Sequence, residues 1–487
     1  MSWLRFARTT ATPASRNGCQ NQFFLSATRQ LRGRCRQLVV TWVQRAVGRP
    51  RLNGRGPIAG YPFVVRHVLS VSSPPSSARA RTTVLVIALL VLAPKLVIAA
   101  VTQGTNDVFS WVAFARGVAQ KGPVGVYELP FSSIYNHPPL VGYFLEVVNA
   151  LTVIGIPVKF TIRALSSIAD VASAVLVFEL LRTRRSMTIA TISGVLVGAS
   201  PVLFLVSGFH GNTDPIFLML VLLSCFLLVD KRMGLVGGGV LALALGVKLV
   251  PVVVLPTLFV YLLRRDRKRL VGALVGFMAV FLISWGPALL REWRPLKQHV
   301  IGYSGVSARE WGLVEFGHLA KDQNLINFLI GPGRMLIVAL CALLPAALLW
   351  RRPGLVSEAV GLCLVGFLAF SPAFGVQYLA WALAAAFLVD FWYAITYNIL
   401  GGFFLYNVYD HWSDGLPWDR AQAMLFTADQ VVFGMAVWAS LLVVFGVGLR
   451  RLIAAQFAPY TEPDPPPQCR HRLERVPIEN ALDGVST

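Results

Sequence analysis

The sequence predicts an all-α polytopic membrane protein of about 11–13 membrane segments, because apolar runs approaching the roughly 20 residues of a bilayer crossing recur along it. Three observations carry that prediction. Of 487 residues, 55% are hydrophobic and only 14% charged, where a soluble protein carries about a quarter charged. Mean hydropathy is +0.63. The net charge of +21 is unevenly placed, most of it ahead of Thr82, and short basic clusters between the apolar runs supply the feature that orients membrane spans.

Residues 1–82 stand apart. Before Thr82 there are 14 Arg and no Lys, Asp or Glu, and Ser72–Ser77 reads Ser-Ser-Pro-Pro-Ser-Ser. A transit peptide has this composition, but nothing else points to an organelle. A basic disordered leader, or upstream sequence translated from a wrongly chosen start, is the expectation. Beside a membrane span it would lie on anionic lipid rather than nucleic acid. The multispan unit is expected over 83–451, followed by a polar, Pro-rich, disordered cytoplasmic tail over 452–487. The six cysteines are scattered and show neither disulfide nor metal spacing.

The first span is Val84–Val101. Arg79 and Arg81 precede it, which places them inside and the following loop outside. Apolar runs at Leu140–Ile156 and Ile162–Leu181 then lead to Arg182-Thr183-Arg184-Arg185. Two full crossings would put that cluster outside. Either the first run is in-plane or re-entrant, or the cluster is an exception; both readings stand. Thr188–Val206 runs outward and Ile216–Val229 returns to Lys231 and Arg232. Leu235–Leu263 is too long for one span and contains Gly237–Gly239, Pro251 and Pro256, so a broken helical hairpin is expected. Leu270–Leu290 leads to an outer loop, Arg291–Asn324, and Ile326–Trp350 returns. Leu355–Phe370, two runs separated near Asp390–Tyr397, an outer loop Tyr409–Arg420 and a last span Leu425–Leu449 complete the chain.

The polar residues gather at the outer ends. In Thr102–Tyr143, Val108, Trp111, Ala115 and Val118 recur at helical spacing, the pattern of a helix lying on a membrane surface. Asp107 heads it. It is a candidate general base, and Asn106 or Asp107 is a candidate helix cap. Asn136-His137-Pro138-Pro139 pins a helix start and would aim His137 and Tyr135 along the surface, unless it is a plain rigid turn. His210, Asn212 and Asp214 suit bonds to a sugar or phosphate; their spacing is not that of a metal site, and Asp214 before Pro215 can also cap. Lys248 lies in an apolar run, where a lysine costs about 2.5–3.5 kcal/mol on insertion scales. It either faces an anionic phosphate or snorkels to an interface. Arg309 and His318, in the long outer loop, are candidate phosphate clamps or ordinary solvated residues. Ser371-Pro372 with Gln377 and Tyr378 forms a polar span end or a kink.

Taken together, these parts resemble the GT-C glycosyltransferases: an acid after the first span, a closing His-Pro-Pro-Leu, a His/Asn loop, Lys-x-x-Pro from Lys248 to Pro251, and a late Ser-Pro…Gln-Tyr. The likeness covers Val84–Arg451 and is nearest to prokaryotic mannosyltransferase-like proteins that use polyprenyl-phosphate sugars. It implies transfer of a sugar, mannose or another hexose, from a polyprenyl-phosphate donor to a lipid or glycan hydroxyl. The transfer would invert configuration on the outer face of the cell membrane. Asp107 would then be the base. Asn106, His137, His210, Asn212, Asp214, Lys248, Arg309, His318, Gln377 and Tyr378 would meet donor or acceptor, with Lys248 or Arg309 neutralising the leaving phosphate. Many relatives carry a second acid beside the first, where this chain has Asn106. No Asp-x-Asp pair is present to hold a metal and nucleotide-sugar, so neither metal nor cofactor is expected. The partners expected are donor, acceptor and membrane lipids, without nucleic acid. A transporter or flippase of lipid-linked sugars is the alternative and would favour pseudo-symmetric halves. A non-catalytic assembly protein would need neither the interfacial acid nor the intramembrane lysine.

Overall fold

The computed structural model describes residues 76–303 and 311–457. Helix α1 (Ser77–Val101) opens where Ser76 accepts the Arg79 N–H and closes at extended Thr102, so it begins before the apolar run from Val84. A two-residue strand, β1 (Gly104–Thr105), leads into α2 (Asn106–Gly125). Val108, Trp111, Ala115 and Val118 lie on the helix their spacing predicted, but they are buried, and Trp111 packs in a protein core with Val141, Leu145 and Trp285 rather than at headgroup level. In α3 (Pro139–Val153) Pro139 is the first residue, where a missing N–H costs nothing. Then come α4 (Val158–Arg182) and α5 (Met187–Gly198), a π-helical segment Phe204–His210, α6 (Asp214–Val229) and α7 (Gly234–Val247). Lys248 is extended and stops α7; a 3-10 turn over Val250–Val254 carries the chain into α8 (Leu255–Arg265). The expected broken hairpin is there, with Lys248 at its apex.

The second half contains α9 (Arg267–Arg291), α10 (Gly312–Ala320), α11 (Gln323–Ile330) and α12 (Gly333–Leu349). It continues through α13 (Val356–Phe370), α14 (Leu379–Val389), α15 (Phe391–Trp412), strand β2 (Arg420–Ala421) and α16 (Ala428–Phe457). Every residue of α14 is buried, which makes it the central pillar. Among the described residues six helices are long and apolar enough to cross a membrane; α11 and α12, bent by 62°, together make a seventh, and four more apolar helices are shorter. The chain is thus an all-α polytopic membrane protein. Fewer of its segments are full spans than the apolar runs suggest, because Gly, Pro and Lys breaks cut several to 14–16 residues. At 1.5 Å per residue these reach only about 21–24 Å of a roughly 30 Å hydrocarbon core.

Polar pairs fix the direction of each helix. Arg81–Glu179 (2.6 Å), Lys95–Asp170 (2.7 Å) and Arg163 on the Ala99 and Thr102 carbonyls (2.7 and 2.8 Å) run α4 antiparallel along α1. The cluster Arg182–Arg185 therefore shares an end of the bundle with Arg81. Arg184 reaches Asp230 at 3.2 Å, Arg185 reaches Glu358, and Arg451 reaches Asp390 at that same end. The opposite end receives the C-terminus of α1 and the start of α4, where Lys159 donates to Gln103 at 3.1 Å. Helix α3 starts beside Gly246, bonds Asn149 to the Ala115 carbonyl at 2.8 Å and returns to α4 on that side. It does not cross the bundle, and the basic cluster is no exception to the charge rule.

Candidate active site

The polar residues meet where α1 gives way to α2. Gly104 has φ +78, and a Cβ there would lie 2.7 Å from the Phe209 carbonyl oxygen. Thr105 caps α2: its hydroxyl accepts the Asp107 N–H (3.3 Å) and donates to the His210 carbonyl (2.8 Å). The capping role open to Asn106 or Asp107 belongs to Thr105, and the Asp107 side chain is left for other partners. The pairing of Gly104 with Arg420 and Thr105 with Ala421, in parallel register, holds this turn against the loop before α16. Arg163, fully buried, donates to the Thr102 hydroxyl and to the last carbonyls of α1, a favoured place for a cation on a helix dipole.

Three side chains converge on one oxygen of Asp107. His210 Nε2 lies 3.0 Å from Oδ2, while Asn212 Nδ2 donates to it at 2.9 Å and Gln377 Nε2 at 3.3 Å. Among the described residues none donates to Oδ1, and the Asp107 side chain remains 38% exposed. Burial raises the Asp107 carboxyl pKa. The His210 ring, the bonds from His210 and Asn212, and the Lys248 charge outweigh burial and hold the group below the ordinary carboxylate range.

Local backbone geometry delivers these donors. His210 ends the π-helical segment, whose wider turn swings its ring out of line with α5. Gly211, at φ +82, reverses the chain; a Cβ there would meet Val108 Cγ2 at 2.5 Å. The Asn212 amide is oriented because its Oδ1 accepts the Thr213 N–H at 2.7 Å, and Ser166 donates to the Asn212 carbonyl at 2.5 Å. Gln377 lies in a 3-10 turn (Val376–Tyr378) at the head of α14.

Behind His210 stands a residue the sequence reading missed. The Tyr409 hydroxyl is 2.9 Å from His210 Nδ1. It is fully buried, boxed by the Phe209, Trp412 and Trp418 rings. Expected at the start of an outer loop, Tyr409 instead lies in α15, which continues to Trp412. Gly401, Leu405, Val408 and Trp412 share its buried face, a helical spacing in the sequence that would have placed it.

Lys248 and Asp214 form a second center. Asp214, at 0% exposure, bonds Lys248 Nζ through Oδ1. Nζ also sits 4.9 Å from the centers of both the Tyr378 and Trp381 rings, which stack at 3.9 Å. Asp214 is therefore a counter-ion rather than a cap, and Lys248 does not snorkel away. One of its three N–H donors is committed, and its side chain is 19% exposed.

His137 is turned inward rather than along the surface. Its ring packs on Trp111 at 4.3 Å with the Phe114 and Tyr135 edges beside it. Burial, assisted by the Lys248 charge and opposed by Asp107, lowers its pKa to about 3, so it is neutral. Tyr303 joins this side. Burial raises its pKa against a hydrogen bond with Asn136, and the Asp107 charge adds to the rise. Asn106 stays exposed, and among the described residues its side chain makes no hydrogen bond; its carbonyl accepts from Ser110 at 3.3 Å. His318 lies on α10 with no polar or ring contact to the Asp107 circle among the described residues. Arg309 lies outside the described residues.

Residues 136–289 match the profile of the dolichyl-phosphate-mannose-protein mannosyltransferase family. The segment, under half of the chain, carries His137, His210, Asn212, Asp214 and Lys248. No curated protein matches the chain.

Proposed function

We propose that this chain, mannosyltransferase-like and of the GT-C superfamily, transfers a mannose or related hexose from a polyprenyl-phosphate donor to a lipid or glycan hydroxyl. The observation that carries this reading is the divided Asp107 carboxylate: three donors on Oδ2 and none of the described residues on Oδ1. An ionised carboxylate with one oxygen anchored and the other open suits a general base. In the proposed step the acceptor O–H gives its proton to Oδ1 while its oxygen bonds to the anomeric carbon. The carbon–oxygen bond to phosphate breaks, and its electron pair leaves with the polyprenyl phosphate. Attack opposite the leaving group inverts the configuration.

Lys248 supports this scheme with charge. Asp214 and the two aromatic rings hold its ammonium in place, so its remaining N–H donors need little reorganisation to meet a phosphate oxygen. His137, neutral, offers hydrogen bonding but no charge. The positive-inside rule supports placing the Arg81 and Arg182–Arg185 end in the cytoplasm and the Asp107 end outside.

Asp107→Asn tests the reading. Membranes bearing wild type or variant at matched expression are given polyprenyl-phosphate [³H]mannose, and label entering lipid or polymer is followed. A fall of about 10²–10⁴-fold, with donor binding retained, is expected for loss of a general base. Undiminished transfer removes Asp107 from that role. Absence of wild-type transfer, with lipid-linked sugar crossing the bilayer instead, favours a flippase.

A further inference from the structure

We infer that Tyr409 is a positioning residue: its hydroxyl fixes the His210 tautomer, so that the Nε2 proton points at Asp107 Oδ2 and Oδ1 is kept for the acceptor. The inference rests on the reading of Asp107 as the base, and it adds to the site a residue from the far end of the chain.

The argument is one of donors and acceptors. An ionised carboxylate only accepts, so the ring nitrogen facing it must carry a proton. That nitrogen is Nε2, 3.0 Å from Oδ2. In a neutral imidazole the other nitrogen is then bare and needs a donor. The Tyr409 hydroxyl, 2.9 Å from Nδ1, is the one hydrogen-bond partner of that atom among the described residues. Tyr409 is fully buried and walled by Phe209, Trp412 and Trp418, so water does not replace it. The opposite tautomer would set the Nε2 lone pair against Oδ2. Asp107 could stay beside it only by holding a proton, and a protonated carboxyl is no base. Thr105, which bonds both the Asp107 N–H and the His210 carbonyl, fixes the two backbones while Tyr409 fixes the ring.

Among the described residues, the charged and titratable groups around Tyr409, His210 and Asp107 are few. Asp107 is on α2 and Tyr409 on α15, next to His210. Lys248 at the end of α7, Tyr303, Tyr378 and the neutral His137 face Asp107 from the other side. None of the latter bonds the His210 ring, so its proton placement is left to Asp107 and Tyr409.

Tyr409→Phe keeps the ring and the aromatic box and removes only the hydroxyl. In the full-length protein the expected result is a fall in kcat of about tenfold or more with KM for polyprenyl-phosphate mannose within about twofold. The acid limb of the kcat profile moves: to higher pH where the unpartnered ring turns to the Nδ1–H tautomer and Asp107 keeps a proton against the bare Nε2, and to lower pH where the ring carries a proton on both nitrogens and its charge favours the carboxylate. In a His210→Gln background the same change should add less than about twofold, since Tyr409 then has no ring to orient. Size-exclusion profiles identify any variant that fails to fold; Tyr409→His then replaces it and should retain part of the activity. An unmoved pH profile, a rise in KM alone, or losses that multiply independently in the double variant overturns the inference. A readout free of any substrate separates this from failure of the mannosyltransferase reading. In ¹⁵N-histidine spectra, the signal lost in His210→Gln should show Nδ1 bare in wild type and a changed tautomer or charge in Tyr409→Phe. A wild-type ring protonated on Nδ1, or a tautomer unchanged by the substitution, overturns the inference even where transfer is robust. A clean tautomer shift in a protein that transfers no sugar upholds the geometry and removes only the reading of Asp107.

Discussion

One carboxylate oxygen with three donors beside another with none from the described residues is an uneven load, and a pH profile can read it. Asn212 lowers the Asp107 pKa through its hydrogen bond. Asn212→Ala should therefore raise that pKa and move the acid limb of kcat/KM to higher pH, because the carboxylate is then lost earlier as pH falls. The sign is the same for stability: a depressed carboxyl stabilises the fold above its ordinary range and loses that contribution as pH falls through the folded value. A pH–activity series on wild type and variant checks it, and a limb moving to lower pH contradicts the assignment. Asp107, His210, Asn212, Gln377 and Lys248 were legible in the sequence because polar residues at span ends stand out against apolar runs. Their partners were less so. Tyr409 was hidden in an aromatic run that looks like a loop edge, and Thr105 lay one residue from where a cap was expected. Asp214 and Lys248 were both singled out, but their mutual bond joins residues 34 positions apart, and sequence spacing carries no trace of it.

Among the elements, α1 and α4 depend on each other through an ion pair inside the bundle. Lys95 and Asp170 are each 2% exposed and 2.7 Å apart, and a Cβ on Gly208 of the π-helical segment would lie 3.4 Å from the Lys95 Cβ and Cγ. Lys95→Met leaves an uncompensated buried carboxylate and should cost about 3–5 kcal/mol. Lys95→Met with Asp170→Leu removes both charges and should recover most of that loss. Thermal unfolding followed by size exclusion in detergent measures both, and a double variant as unstable as the single would show that the pair is not the cause. The pair was not visible as such, since Lys95 beside Pro94 reads as a lone polar interruption of an apolar run. The break at Lys248–Pro256 was visible because Pro and Gly have local, obligatory effects. Whether α3 crosses was not visible, because a 15-residue apolar helix is compatible with either course until Arg81–Glu179 and Arg184–Asp230 are seen to share one end.

For the whole molecule, the ion pairs sort the chain into a basic end and a site end. With cysteine-free protein in intact cells, Lys268→Cys at the basic end should react with an impermeant maleimide only after the membrane is opened. Gln323→Cys, at the start of α11 on the site end, should react without opening. Labelling of Lys268→Cys from outside would reverse the proposed orientation. The alternation of basic and polar loops gave most of this arrangement from sequence; the crossing count needed coordinates, because short, broken helices carry the same hydropathy as full spans. The two-residue ladder between β1 and β2 has a consequence in time. Gln103 donates to Asp419 across 316 residues, so the turn ahead of Asp107 has no strand to pair with until nearly the whole chain exists. Synthesis at about 5–20 residues per second puts roughly 16–60 s between the two segments. Gln377 and Tyr409 also arrive late. A nascent or prematurely ended chain thus inserts its first spans before the Asp107 cluster is assembled, and under the proposed reading transfer waits for the last loop to be made.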